Sequence, residues 1–180
     1  GIWARRESVR PYRYLKLKII RETGGYNGKL VLNEIRFYSG VVSQNEVPSH
    51  GYKMVSPRTP YPQVVSCSSF ENQDSHCYKA FDGIDDAPGN AWVTKAVGSK
   101  DHVLSDPQWV VVDMGVDRGV HPTSIRITCD VGNTGAHANA TTDAAIDPVT
   151  KGCPMTFAVS GSYDNIKYST VYTRDLYDYD

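Results

Sequence analysis

No stretch of the 180-residue chain approaches the roughly 18 consecutive apolar residues that span a bilayer, so no transmembrane segment is expected. Basic excess is missing too. Nineteen Lys and Arg face twenty Asp and Glu, a formal net charge of −1, whereas surfaces for nucleic acid carry clustered positive charge. No nucleic-acid partner is therefore expected, and Lys16, Lys18 and Arg21 read as a solvated strand face. None of the four cysteines stands in the CxxC spacing of a zinc ribbon or a thioredoxin-like site. The five histidines, His50, His76, His102, His121 and His137, form no HxH or HExxH pair and fall in apparent loops, most of them read as surface residues. The chain has no GxSxG elbow, no Gly-rich phosphate loop and no nucleotide fingerprint, and nothing marks out a facing carboxylate pair. A non-enzymatic role is expected. The opening Gly1-Ile2-Trp3-Ala4-Arg5-Arg6 lacks a methionine and the apolar core of a signal peptide, and reads as a processed or trimmed chain.

What is present describes an ordinary globular domain. With 40% hydrophobic and 22% charged residues, a chain of this length makes one domain and buries roughly 70% of its unfolded surface. An even number of cysteines, Cys67, Cys77, Cys129 and Cys153, points to disulfides and an extracellular or secretory, luminal compartment. Three connectivities are open. The favoured one is local, Cys67 with Cys77 across a polar loop and Cys129 with Cys153 around a long polar segment; four buried free thiols are the alternative. That segment also carries the one glycosylation sequon, Asn139-Ala140-Thr141.

Period-2 alternation dominates. In Tyr12 to Ile19, Leu15, Leu17 and Ile19 share one face while Tyr14, Lys16 and Lys18 share the other, the pattern of a half-buried strand. A Gly-rich turn over residues 24–28 leads to a second extended run, Leu30 to Tyr38. The β-branched run Trp109 to Met114, bounded by Pro107 and Gly115, and the run Ser124 to Cys129 read as core strands. Thr156 to Ser160 and Lys167 to Thr173 add two more around the turn Ser162 to Asn165. No sustained 3.6-residue stripe appears, so at most a short helix is expected at Tyr78 to Phe81. The class is all-β, a sandwich or jelly roll. Val41 to Tyr61 and Val131 to Gly152 resist strand assignment, as functional loops do. Residues 1–11 read as an N-terminal arm on a single domain of residues 12–180.

At Ala80-Phe81-Asp82-Gly83 with Trp92, then Trp109 to Gly115, Ser124 to Ile127 and Pro154 to Asp164, the chain resembles the discoidin or coagulation-factor C-type family. Tyr14 to Lys18 and Leu32 to Tyr38 look like that family's closing strand pair, here placed at the beginning of the chain as in a permuted order. The resemblance implies a galactose-binding-like jelly-roll β-sandwich. It also implies one structural calcium ion, with Glu34 and Asp82 giving carboxylates, Lys79 and Asp85 backbone or side-chain oxygens, and Asn90 an amide or carbonyl oxygen. The spacing from Asp82 to Trp92 is a few residues longer than the family's usual loop.

Binding is then the expected function. Aromatic rings and Arg or Asn side chains at the loop end would meet a glycan or glycoprotein, with Tyr52, Arg58, Tyr61 and Trp92 as candidate contacts in a carbohydrate-binding or adhesion module. Against this, tyrosines of a sandwich often fill cross-strand positions, and Trp92 suits a core site. The alternative is a structural subunit docked to neighbouring proteins in an extracellular, luminal or organellar assembly. Membrane-surface binding through loop tips lacks an obvious pair of Trp or Phe spikes.

Overall fold

Alternation along the chain becomes two antiparallel sheets facing each other across one apolar layer. The computed structural model describes residues 10–24, 26–39, 53–85, 87–129 and 152–175. Within them lie nine strands: β1 (Tyr14–Glu22), β2 (Val31–Tyr38), β3 (Val64–Cys67), β4 (Trp92–Val93), β5 (Ser99–Lys100), β6 (Val103–Asp113), β7 (Ser124–Cys129), β8 (Pro154–Ser162) and β9 (Tyr168–Asp175). Two short 3-10 helices, η1 (Gln73–Ser75) and η2 (Cys77–Phe81), separate β3 from β4. The large sheet runs β3-β6-β1-β8-β9 with β5 added to β6, and the small one runs β4-β2-β7. The all-β expectation holds, and the expected short helix is η2.

β1 is central to the large sheet. It pairs with β6 through Leu17↔Val110 and with β8 through Leu17↔Val159. Its Leu15, Leu17 and Ile19 are fully buried against Ile35, Phe37 and Ile127 of the small sheet. Each such side chain contributes about 1.5–3 kcal/mol by leaving water. Pro107 does not bound β6, as its sequence suggests, but lies inside it. The β1–β6 register shifts between Ile19 and Arg21, opposite this part of β6. A bulge is where a strand tolerates the missing ladder donor of proline.

Both disulfides follow the local pairing, one joining the large sheet to η2 and the other joining the two sheets. Cys67, the last residue of β3, bonds Cys77 at the start of η2. Cys129, at the end of β7 in the small sheet, bonds Cys153, just before β8 in the large one. Cys153 is held further by backbone contact with Thr23, whose N–H donates to the Cys153 carbonyl at 2.9 Å.

Candidate functional site

The candidate metal residues are brought together by an irregularity in β2. Its pairing with β7 shifts between Leu32 and Glu34, so the core face passes from Leu32 to Ile35 and Phe37, and Glu34 turns to the opposite side. The segment after η2 closes over it there, leaving Glu34 only 2% exposed. Phe81 of η2 stacks on Phe37, which sets η2 against β2. Asp82 caps the end of η2, and its Oδ1 accepts the Ile84 N–H at 2.9 Å. Gly83 follows at φ +76° and donates its N–H to Glu34 Oε2 at 3.1 Å. A side chain there would meet that positive φ and the Lys53 stem at once.

The remaining members complete a polar network. Asn90 Nδ2 donates to Asp82 Oδ2 at 2.9 Å, while Lys79 Nζ donates to Asn90 Oδ1 at 3.0 Å. Asn33 Nδ2 donates to the Asn90 carbonyl at 3.1 Å, holding the turn to β2. Arg36 Nε donates to Glu34 Oε1 at 3.3 Å and its Nη2 pairs with Asp85 Oδ2 at 3.1 Å, which Arg126 also approaches at 3.9 Å. Burial pushes the Glu34 carboxyl up to about 8; Arg36 opposes this and the Asp82 charge adds to it. Burial also raises Asp82, against the Asn90 hydrogen bond.

All five expected metal residues therefore share one network, in two different conditions. Glu34 and Asp82 contribute carboxyl oxygens, while Asn90 turns its amide N–H to Asp82 and its Oδ1 to Lys79. The Asp85 carboxylate is turned to Arg36 and Arg126, and the Lys79 side chain brings an ammonium, so these two residues fit a cation only through backbone carbonyls. Among the described residues, no three acidic, His or Cys side chains converge as a metal-holding group. Glu34 and Asp82 are oxygen donors of the type a hard cation takes, and each of their carboxyl oxygens already accepts a hydrogen bond, from Arg36, Gly83, Ile84 or Asn90. Arg36 and Asn33 were not among the residues singled out from sequence. Arg36 could have been, since period 2 places it on the same face as Glu34.

Candidate contact residues divide. Trp92 is a correction: it is fully buried, and its indole N–H donates to the Ser69 carbonyl at 2.8 Å, so both ring and donor are used in the core. Arg58 and Tyr61 are exposed, Tyr61 at 89%. Their loop is braced: the Val55 N–H donates to the Thr59 carbonyl at 2.8 Å and the Val65 N–H to the Pro57 carbonyl at 2.9 Å. Tyr52 and Asn139 lie outside the described residues, as do His50 and His137. His76 is not a simple surface residue; its Nδ1 accepts the Tyr78 N–H at 3.4 Å to cap η2, and its ring packs on Phe70. Among the described residues, no helix is long and apolar enough to cross a membrane.

No family model, no curated protein and no solved structure matches the chain.

Proposed function

We propose that the chain is a discoidin-like jelly-roll module of an exported protein, stabilised by calcium and binding a glycan or glycoprotein without catalysis. The two disulfides support an oxidising compartment. The observation that carries the binding reading is the braced loop of residues 53–62, which holds Val55 68% and Tyr61 89% exposed beside Arg58. A braced loop has already met the backbone part of the entropy cost of presenting an aromatic ring and a guanidinium. The ring suits the apolar face of a sugar, and the guanidinium suits its hydroxyls.

Calcium would be held by Glu34, Asp82 and Asn90, with backbone carbonyls of Lys79 and Asp85, and would add positive charge beside two buried carboxyl groups. The chain's own contacts extend that support to the loop. The Met54 N–H donates to the Phe81 carbonyl at 2.9 Å, and the Lys53 stem lies against Gly83. A glycan array tests the reading: one saccharide class is expected to bind, and the Arg58→Ala/Tyr61→Ala protein should lose it with an unchanged melting temperature. Silence of the intact protein on the array defeats the glycan reading.

A second reading, a docking subunit of a larger assembly, is favoured by one feature. β9 ends the large sheet, is paired only by β8 among the described residues, and is exposed along most of its length. A silent array together with migration inside a larger complex from the native source would select it.

A further inference from the structure

The outer face of the large sheet carries a group of side chains that the loop reading does not use. With Leu15, Leu17 and Ile19 in the core, Lys16 and Lys18 stand outward. The register sets Lys16 opposite Ser160 of β8, Lys18 opposite Trp109 of β6, and Ser160 opposite Thr170 of β9. Lys16 Nζ lies 4.9 Å from the centre of the Trp109 ring and 5.2 Å from that of Tyr168. Three strands thus hold one ammonium between two aromatic rings, over a floor of small hydroxyl side chains.

Among the described residues, no carboxylate neutralises that charge: neither Lys16 nor Lys18 forms an ion pair with one. Asp113, which shares this face, is taken by Arg13 in a two-pronged contact at 2.8 and 2.9 Å. Burial, and after it the like charge of Lys18, disfavours the protonated form of Lys16. An incoming anion offsets the Lys16–Lys18 repulsion and finds the Lys16 ammonium held between two rings.

The rest of the face narrows the kind of anion. Flat rings at Trp109 and Tyr168 suit the C–H face of a pyranose, and Ser160 and Thr170 suit its hydroxyls. A nucleic-acid strand calls for a longer run of cations than two lysines on a chain of net charge −1. A lipid surface calls for exposed aliphatic tips, yet the aliphatic residue at the centre of this face, Val111, is only 6% exposed. We propose that the outer face of the large sheet binds an anionic saccharide, its sulfate or carboxylate on Lys16 and Lys18 and its ring against Trp109 and Tyr168. This surface is built from β1, β6, β8 and β9 and includes no residue of the 53–62 loop.

Titration calorimetry with a sulfated, uronate-containing tetrasaccharide tests it, with the desulfated tetrasaccharide and a single-stranded oligothymidylate as comparisons. The sulfated probe should bind, weaken about tenfold in Lys16→Gln and again in Lys16→Gln/Lys18→Gln, and weaken between 0.05 and 0.5 M salt, roughly as expected for charge-assisted contacts. The desulfated probe should bind less well. Trp109→Leu should weaken binding too; if that variant melts early, the two exposed-face lysine variants carry the test alone. Arg58→Ala/Tyr61→Ala should bind the sulfated probe as the unaltered protein does. No binding, indifference to the lysine substitutions, loss in the loop variant, or equal affinity for the oligothymidylate would each overturn the proposal.

Discussion

Removing the disulfide between Cys129 and Cys153 should cost more than removing the one between Cys67 and Cys77, and the difference can be worked from the chain. A cross-link restricts the unfolded ensemble by an amount that grows with the logarithm of the loop it closes. A sequence separation of 24 corresponds to about 3.5 kcal/mol, and a separation of 10 to about 2.7 kcal/mol. Packing works in the same direction. Cys129 and Cys153 are both buried, whereas Cys67 is half-buried, so Cys→Ala at the longer bridge also leaves a larger gap between the sheets. Against a total stability on the order of 5–15 kcal/mol, either loss is large. Equilibrium unfolding in urea, comparing Cys129→Ala/Cys153→Ala with Cys67→Ala/Cys77→Ala, reads the difference directly. The slope m should rise in both variants, because the unlinked chain exposes more surface when unfolded. If the longer bridge proves the cheaper one to lose, or costs under about 1 kcal/mol, chain entropy is not what these bridges supply.

Chelation should lower the melting temperature by roughly 5–10 °C if calcium stands near a hundredfold above its dissociation constant, and Glu34→Gln or Asp82→Asn should abolish that dependence; an unchanged melting curve in chelator removes the metal. His76 titrates below its ordinary value because burial disfavours the imidazolium. Its contribution to stability is therefore complete above pH 6.5 and is lost as the pH falls through the depressed folded value. His76→Asn, which keeps an acceptor for the Tyr78 N–H, should flatten that part of the urea midpoint's pH profile between pH 7 and 5; identical profiles would place the effect elsewhere. Gly83→Ala should cost about 1–2 kcal/mol, from the positive φ and the Lys53 stem, measured by thermal unfolding. Leu17→Ala, at the centre of the core, should cost about 2–5 kcal/mol, and a loss under 1 kcal/mol would mean that the layer around β1 collapses into the gap.

The long strands were legible because their physics is periodic. β1 shows its alternation openly, and β7 coincides with the run Ser124 to Cys129. β3, β4 and β5 were missed for the same reason: four, two and two residues are too few to display a period. Five residues of the Glu34 network came from resemblance, whereas Asn33, Arg36 and the pairing within the network could not be read that way. That Glu34 would be buried depends on the register shift beside Asn33 and on a covering segment some fifty residues away, neither of which leaves a local mark. Trp92 had two plausible readings, and an indole reaching the Ser69 carbonyl decided for the core. Lys16 read as a solvated strand residue because Trp109 and Tyr168 are far off in sequence and near only through the order of strands.

The central place of β1 also sets the order in which this molecule can assemble. Tyr14 meets Asp113 and Ser162, which are made about a hundred and about a hundred and fifty residues later. Such long-range pairing slows folding, so the strand that ends up most enclosed waits longest for its neighbours. The short Cys67–Cys77 link can close while it waits, but the Cys129–Cys153 link can register the two sheets only after β8 begins. In the interval, the sequence Leu15-Lys16-Leu17-Lys18-Ile19 is an extended, apolar-edged segment of the sort that seeds aggregation. Charged residues set into such a strand discourage edge-to-edge pairing with other chains. Lys16 and Lys18 thus place charge in this segment before the face they occupy exists.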